Sequence, residues 1–204
     1  MGKVLPRLPR VPREAMGAHM IHIFDASICP DPDTLRILWD QQVYAGGGYL
    51  GGAAQHVWTL TEWRRLQQGG LRPLPIWVAP FDSMFHEMGA IAGNAALSAM
   101  AQVGLTSLVV LDLEAGYNIR EDYVKGFEDS LVAGSCELAL YGVHEDLRRM
   151  AEVVAPLFTW VAAPGAAWTF LGSDTAAWQY AFHQTYDLSV ADDDIPTAEW
   201  SKTL

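Results

Sequence analysis

The chain has 204 residues, half of them hydrophobic and 18% charged, which suits one globular domain with a full core and is short for two. Its formal net charge of −11 speaks against a nucleic-acid partner, since binding phosphate needs a basic surface. That charge is uneven: residues 1–19 carry Lys3, Arg7, Arg10, Arg13 and one acid, Glu14, for +3, so the remainder carries −14.

Residues 1–19 form a Pro/Arg-rich arm before a domain spanning 20–204. Residues 5–13 read Leu-Pro-Arg, Leu-Pro-Arg, Val-Pro-Arg, a three-residue repeat with proline at every middle position. Proline fixes φ and removes donors, so the expected conformation is polyproline II. Such an arm is expected to bind a neighbouring protein chain, the competing reading being that it folds back and closes the N-terminal end of its own domain. It does not read as a secretory leader, because prolines stand where an apolar stretch is needed. Met88 to Leu111 carries no charge, but Gly89, Gly93, Asn94, Gln102, Gly104 and Ser107 interrupt it, so a buried helix and strand are expected rather than a membrane span.

After the arm, strand and helix signals alternate. Met20–Ser27 is an apolar run suited to a buried strand, and Pro32–Gln41 has helical spacing. Gln42–Leu50 is a second strand entering a glycine-rich turn. Thr59-Leu-Thr-Glu62 is a capping box whose helix ends at Gly69-Gly70. Leu74–Ala79 is a third strand. Glu87–Val103 is a helix whose alanines and glycines allow close packing on a sheet. Ser107–Glu114 is the clearest strand, followed by a helix at Arg120–Ala133, a strand at Leu138–Val143 and a helix at Glu145–Val154. Phe158–Ala162, Ala177–Phe182 and Tyr186–Val190 then read as strands without full helices between them. Five strand–helix units and three bare strands give eight strands, expected to be parallel and closed as a TIM-like (β/α)5(β)3 barrel, an α/β single domain. Cys29 follows the first strand and Cys136 opens the fifth, at opposite ends of such a barrel. Both are therefore expected to be free thiols.

Strand ends at one face of a barrel build its active site. Asp25 ends the first strand, Asp112 and Glu114 the fourth, and Asp187 lies in the eighth. Strand side chains alternate faces, so Asp112 and Glu114 point the same way. Four carboxylates are thus expected to converge on one cleft. Glycoside hydrolysis needs such a set: one acid protonates the leaving oxygen while a second carboxylate stabilises positive charge or orients a nucleophile. Crowding and desolvation raise their pKa values, Glu114's most of the four. Tyr49, Trp77, Trp160, Trp178 and Tyr180 are candidates for stacking on sugar rings, with barrel core as the competing role for Trp77 and Trp160.

Phe24-Asp25-Ala26-Ser27, the Tyr-Leu-Gly-Gly turn at 49–52, Leu74-Pro-Ile-Trp-Val78, Leu111-Asp-Leu-Glu114, Leu140-Tyr-Gly142, Trp160-Val-Ala162 and Trp178-Gln-Tyr180 with Asp187 together resemble glycoside hydrolase family 25, the lysozymes. The resemblance is closest to the glycoside-hydrolase-like domain of unknown function of actinobacteria and their phages. It implies Glu114 as general acid and Asp112 as its electrostatic partner or as support for a substrate acetamido group. Asp25 and Asp187 would hold substrate or water. The sequence departs from the family at Ala45-Gly-Gly-Gly-Tyr49, where a polar, lysine-containing pattern is usual, and at Cys29-Pro-Asp-Pro32, where Gln-Gly or Asn-Gly is usual.

Other signals fail. Gly46-x-Gly48-x-x-Gly51 lacks the helix that a dinucleotide site requires and reads as a turn. His86-Glu87 lacks a second zinc-binding histidine, and Asp192-Asp193-Asp194 lacks the spaced ligands of a calcium loop. No cofactor and no metal are expected. Two functions compete: a peptidoglycan-degrading muramidase with cell-wall glycan as partner, or a catalytically silent barrel serving as a structural or carbohydrate-binding part of a phage tail or virion. Either is expected to be virion-associated or released from the cell, otherwise cytoplasmic, with no membrane partner.

Overall fold

The computed structural model describes residues 20–114, 119–162, 175–182 and 186–201, without the side chains at 175, 176 and 180–182. Strand β1 (Met20–Ala26) is followed by α1 (Pro32–Asp40), β2 (Val43–Gly52), α2 (Leu60–Gln68), β3 (Arg72–Val78) and α3 (His86–Val103). Then come β4 (Leu105–Thr106), β5 (Leu108–Asp112), α4 (Glu121–Ala133), β6 (Glu137–Gly142), α5 (His144–Ala151), β7 (Thr159–Ala162), β8 (Thr175–Phe182), β9 (Asp187–Asp192) and β10 (Glu199–Trp200). Eight strands close a barrel in the order β1-β2-β3-β5-β6-β7-β8-β9, while β4 and β10 form a separate two-stranded sheet.

The expected barrel and its five helices are present; the strand directions differ in one place. β9 runs antiparallel to both its neighbours, β8 and β1. The reversal has a consequence for the site. The first residue of β9, Asp187, lies opposite Asp25 near the last residue of β1, so a strand's start reaches the mouth built by the other strands' ends.

Period-two alternation sorts side chains into two layers. Ile23, Ala45, Leu74, Ile76, Val110, Ala139, Trp160, Ala177 and Ala191 fill the barrel. Phe24, Leu111, Leu140, Val161, Leu188 and Val190 point outward, and with Leu35, Leu66, Tyr123 and Phe127 they fill the shell between barrel and helices. Ile195 and Ala198 join the inner cluster from the segment after β9, which is tied to β3 by Ala198 N donating to Pro73 O at 3.0 Å. They help pack the N-terminal end of the barrel.

Local chemistry explains the helix boundaries. Thr59 Oγ1 accepts from Glu62 N at 3.3 Å, while Glu62 Oε2 accepts from Thr59 N at 2.8 Å, the capping box expected from sequence. Glu62 also accepts from Cys29 N, tying the loop after β1 to α2. Both cysteines are free and buried.

Two expectations about glycine change. Gly46, Gly47 and Gly48 lie within β2 rather than in a turn. A Cβ at Gly46 would stand 2.6 Å from the Phe24 ring and one at Gly48 2.4 Å from Trp58, so the strand is bare because large rings press on it. The glycines of α3 face α4 instead of the sheet. A Cβ at Gly89 would fall 1.9 Å from Tyr123 O, and one at Gly126 2.0 Å from His86 O.

Candidate active site

At the C-terminal mouth of the barrel, inward-facing positions of successive strands carry polar groups. β1 supplies Asp25, paired across to Gly47 on one side and Asp187 on the other. Gly47 leaves room for it, since a Cβ there would lie 2.8 Å from Asp25 Cβ. β2 supplies Tyr49, β5 Asp112, β6 Tyr141, and β8 Gln179. In register, Asp112 sits between Val78 and Tyr141. Glu114 lies two residues beyond the end of β5, with Leu113 N donating to Tyr141 O at 2.9 Å and Glu114 N to Asp112 Oδ1 at 2.8 Å. These bonds fix the Asp-x-Glu segment while leaving Glu114 itself exposed.

The electrostatics show that the four carboxylates share one space. Asp25 is 4% exposed, and burial followed by the charges of Asp187, Asp112 and Glu114 holds its pKa well above the usual carboxylate range. Burial carries Asp112 to about 7, with the Glu114 N–H pulling down and the Glu114 charge pushing up. Glu114 is raised by burial and lowered by a hydrogen bond from Tyr141. The deepest carboxyl, Asp25, thus carries the larger displacement, where Glu114 was expected to; desolvation outweighs the effect of the neighbouring charges. Tyr49 is raised by burial and by all four carboxylates, which places its hydroxyl among them.

One wall is a connected polar and aromatic network. Tyr141 Oη lies 2.9 Å from Gln179 Oε1, and its ring meets Trp160 edge-on at 5.0 Å. Trp160 Nε1 donates to Ser189 Oγ at 2.9 Å. Two buried polar atoms in this region, Asp25 Oδ2 and Gln179 Nε2, have no hydrogen-bond partner among the described residues. Unsatisfied buried groups are expensive, and at a mouth they are groups that a ligand can satisfy.

The aromatic expectations divide. Tyr49 faces the carboxylates. Trp160 is fully buried inside the barrel and forms part of its floor beneath Tyr141. Trp77 and Trp178 belong to the outer layer, since neighbours Ile76 and Ala177 take the inward positions. Their place on the strand, one residue out of phase with the mouth, removes them from the cleft. The Tyr180 side chain lies outside the described residues. Tyr141 and Gln179 were not singled out as site residues from sequence; the same alternation that places Asp112 and Ala177 inward would have found them. Among the described residues, no group of three or more His, Cys, Asp or Glu is arranged to hold a metal ion.

No protein-family model matches the chain, and no curated protein does. Solved structures do. A protein of B. stearothermophilus described as uncharacterized superposes with a TM-score of 0.67 at 19% identity, covering 84% of this chain and 96% of that one. The catalytic domain of endolysin ply40 from a bacteriophage of Listeria monocytogenes gives 0.65 at 14% identity, over 88% and 96%. A family 25 glycosyl hydrolase from Bacillus anthracis gives 0.59 at 17% identity, over 93% and 94%. The chain has the barrel fold of the family 25 glycoside hydrolases.

Proposed function

We propose that the chain is a retaining glycosidase that cleaves the amino-sugar backbone of peptidoglycan, a muramidase. The observation that carries this reading is the convergence of Asp25, Asp112, Glu114 and Asp187 on one mouth, with Tyr49 among them. Glu114 is the general acid. It is the most exposed of the set, so a glycosidic oxygen can reach it, and burial raises its pKa, which favours the protonated form it needs. Asp112, whose Oδ1 accepts from the Glu114 N–H and whose carboxyl keeps its proton to about pH 7, orients the substrate acetamido group, and stabilises positive charge at the anomeric centre once it is ionised. Asp25 and Asp187 hold the sugar or the water. The family 25 hydrolase and endolysin neighbours support a cell-wall glycan as substrate and a released or virion-associated setting.

Zymography on bacterial cell walls, followed by assay of new reducing ends, tests the proposal. Clearing with release of muramic-acid reducing ends is the expected result. Tight binding of wall glycan with no cleavage would replace the enzyme by a silent, carbohydrate-binding barrel.

A further inference from the structure

The N-terminal end of the barrel carries a groove of about 570 Å³ lined by Tyr44, Arg72, Asp193, Asp194, Glu199 and Trp200, among others. It lies on the side away from the carboxylate mouth, where β2 and β3 begin and the segment after β9 crosses to β10. Its rim is acidic. Burial and then the charges of Asp194 and Asp193 raise the pKa of adjoining Asp192, the mark of a negative field at this edge. Its walls are aromatic: the Arg72 guanidinium stacks over the Tyr44 ring at 4.7 Å, and Trp200 is half-buried.

We propose that this groove is the seat of the chain's own Pro/Arg-rich arm, residues 5–13. Three observations converge on that occupant. The first is periodicity. Polyproline II has three residues per turn, so in that conformation the repeat would set Arg7, Arg10 and Arg13 along one edge, Pro6, Pro9 and Pro12 along a second, and Leu5, Leu8 and Val11 along the third. A groove with an aromatic wall and an acidic rim offers a surface to each, the manner in which proline-rich segments dock. The second is charge, +3 on residues 1–19 against a lining in which the carboxylates of Asp193, Asp194 and Glu199 outnumber the Arg72 guanidinium. The third is connectivity. Met20, where the arm joins β1, pairs directly with Asp192, so the chain enters the barrel beside the groove. Arg13 is seven residues from Met20, within about 23 Å of extended chain. Such a tether favours the arm's own groove over a second copy's, because it supplies a high effective concentration.

Ile195 and Ala198 already pack the barrel's N-terminal end, so a seat in this groove would cover that end from outside without entering the barrel.

The arm supplies its own probe, since trypsin cleaves after Arg7, Arg10 and Arg13 when they are free. In the full chain, cleavage at these bonds is expected to be slow at low salt. It should speed up about tenfold in the D194N/E199Q variant, whose two substitutions lie at exposed positions and leave the barrel folded. The wild-type rate should not change over a hundredfold dilution. Equal rates in wild type and variant would overturn the groove as the seat. Protection that weakens on dilution would overturn the chain's own arm as occupant and point to a second copy's. A variant that fails to fold is replaced by wild type with 0.5 M salt, which screens the same pairs and should release the arm.

Discussion

The two ends of the barrel are built from the same eight strands and treat polar groups in opposite ways. At the N-terminal end, Ile195 and Ala198 extend the apolar filling, and backbone bonds such as Ala198 N to Pro73 O and Ser201 N to Gly104 O hold the crossing segment in place. At the C-terminal end, Asp25 and Gln179 keep buried atoms without partners among the described residues, and carboxylates stand close enough to raise the pKa of Asp25. A chain that needed only stability would replace these acids with apolar side chains, because burying charge is costly. The difference teaches where stability ends and chemistry begins. One end, with the helical shell, holds the fold together; the other spends part of that stability on a site.

The sharpest way to break this division is a pair of substitutions, one in each region. Glu114→Gln should lower hydrolysis by about 10²–10⁴ through loss of the general acid and leave the melting temperature nearly unchanged, since the side chain is exposed. Wild-type release of reducing ends by this variant would remove Glu114 from its role. Gly126→Ala should do the reverse. Its Cβ would meet His86 O at 2.0 Å and Ala90 N at 3.0 Å, backbone atoms that yield only if α3 and α4 separate. A loss of about 3 kcal/mol or more in chemical denaturation is expected, with the mouth chemistry intact in the folded fraction. Gly134→Ala is the control, because there the added Cβ meets the flexible tip of Leu97. Equal losses for the two would mean that helix approach is not what Gly126 provides.

A smaller effect sharpens the cost of the mouth. Folded Asp112 keeps its proton to about pH 7, whereas the unfolded carboxyl releases it near 3.8. Between these values the folded chain binds more protons, so its stability falls as pH rises; the contribution is complete below about pH 4 and gone above about pH 7. The displacement corresponds to roughly 4 kcal/mol, and Asp25 acts in the same direction. Asp112→Asn should therefore raise the melting temperature at pH 8 and give little gain at pH 4. An equal gain at both would show that the proton is not the cause.

The mouth was legible in sequence where it depended on strand ends. Asp25, Asp112 and Glu114 could be placed because an apolar run followed by an acid marks where a buried strand emerges. Asp187 was placed correctly for an incomplete reason. A six-residue strand looks the same in either direction, so its alternation could not reveal that β9 runs backwards. Trp77 and Trp178 were misjudged by closeness to strand ends, although phase decides which layer a side chain joins. Trp77 is one residue from inward Ile76, and Trp178 one from inward Ala177. The triple glycine of β2 lacked any alternation to read, and the rings that fill its place, Phe24 and Trp58, come from elsewhere in the chain. Gly89 and Gly126 pose the same difficulty: a helix–helix approach is a pairwise property, and neither helix encodes it alone.

The finest test concerns Tyr141, which joins the polar wall to the acid. Its hydroxyl lies 2.9 Å from Gln179 Oε1 and hydrogen-bonds Glu114, opposing the upward push of burial on that carboxyl. Tyr141→Phe removes the opposing bond and keeps the ring against Trp160. Glu114 should then hold its proton to higher pH, so the alkaline limb of the pH–rate profile moves upward. The shift should stay below about one pH unit, since Glu114 is exposed and water replaces part of what the phenol gave. Loss of rate without movement of the limb would make Tyr141 a packing residue only. Movement downward would mean that the phenol favours the protonated acid, as a hydroxyl accepting from Glu114 while donating to Gln179 would do. The direction of that limb therefore reports which way the hydrogen bonds of the wall run, and so whether Gln179 Nε2, a buried donor with no partner among the described residues, is left free for a sugar.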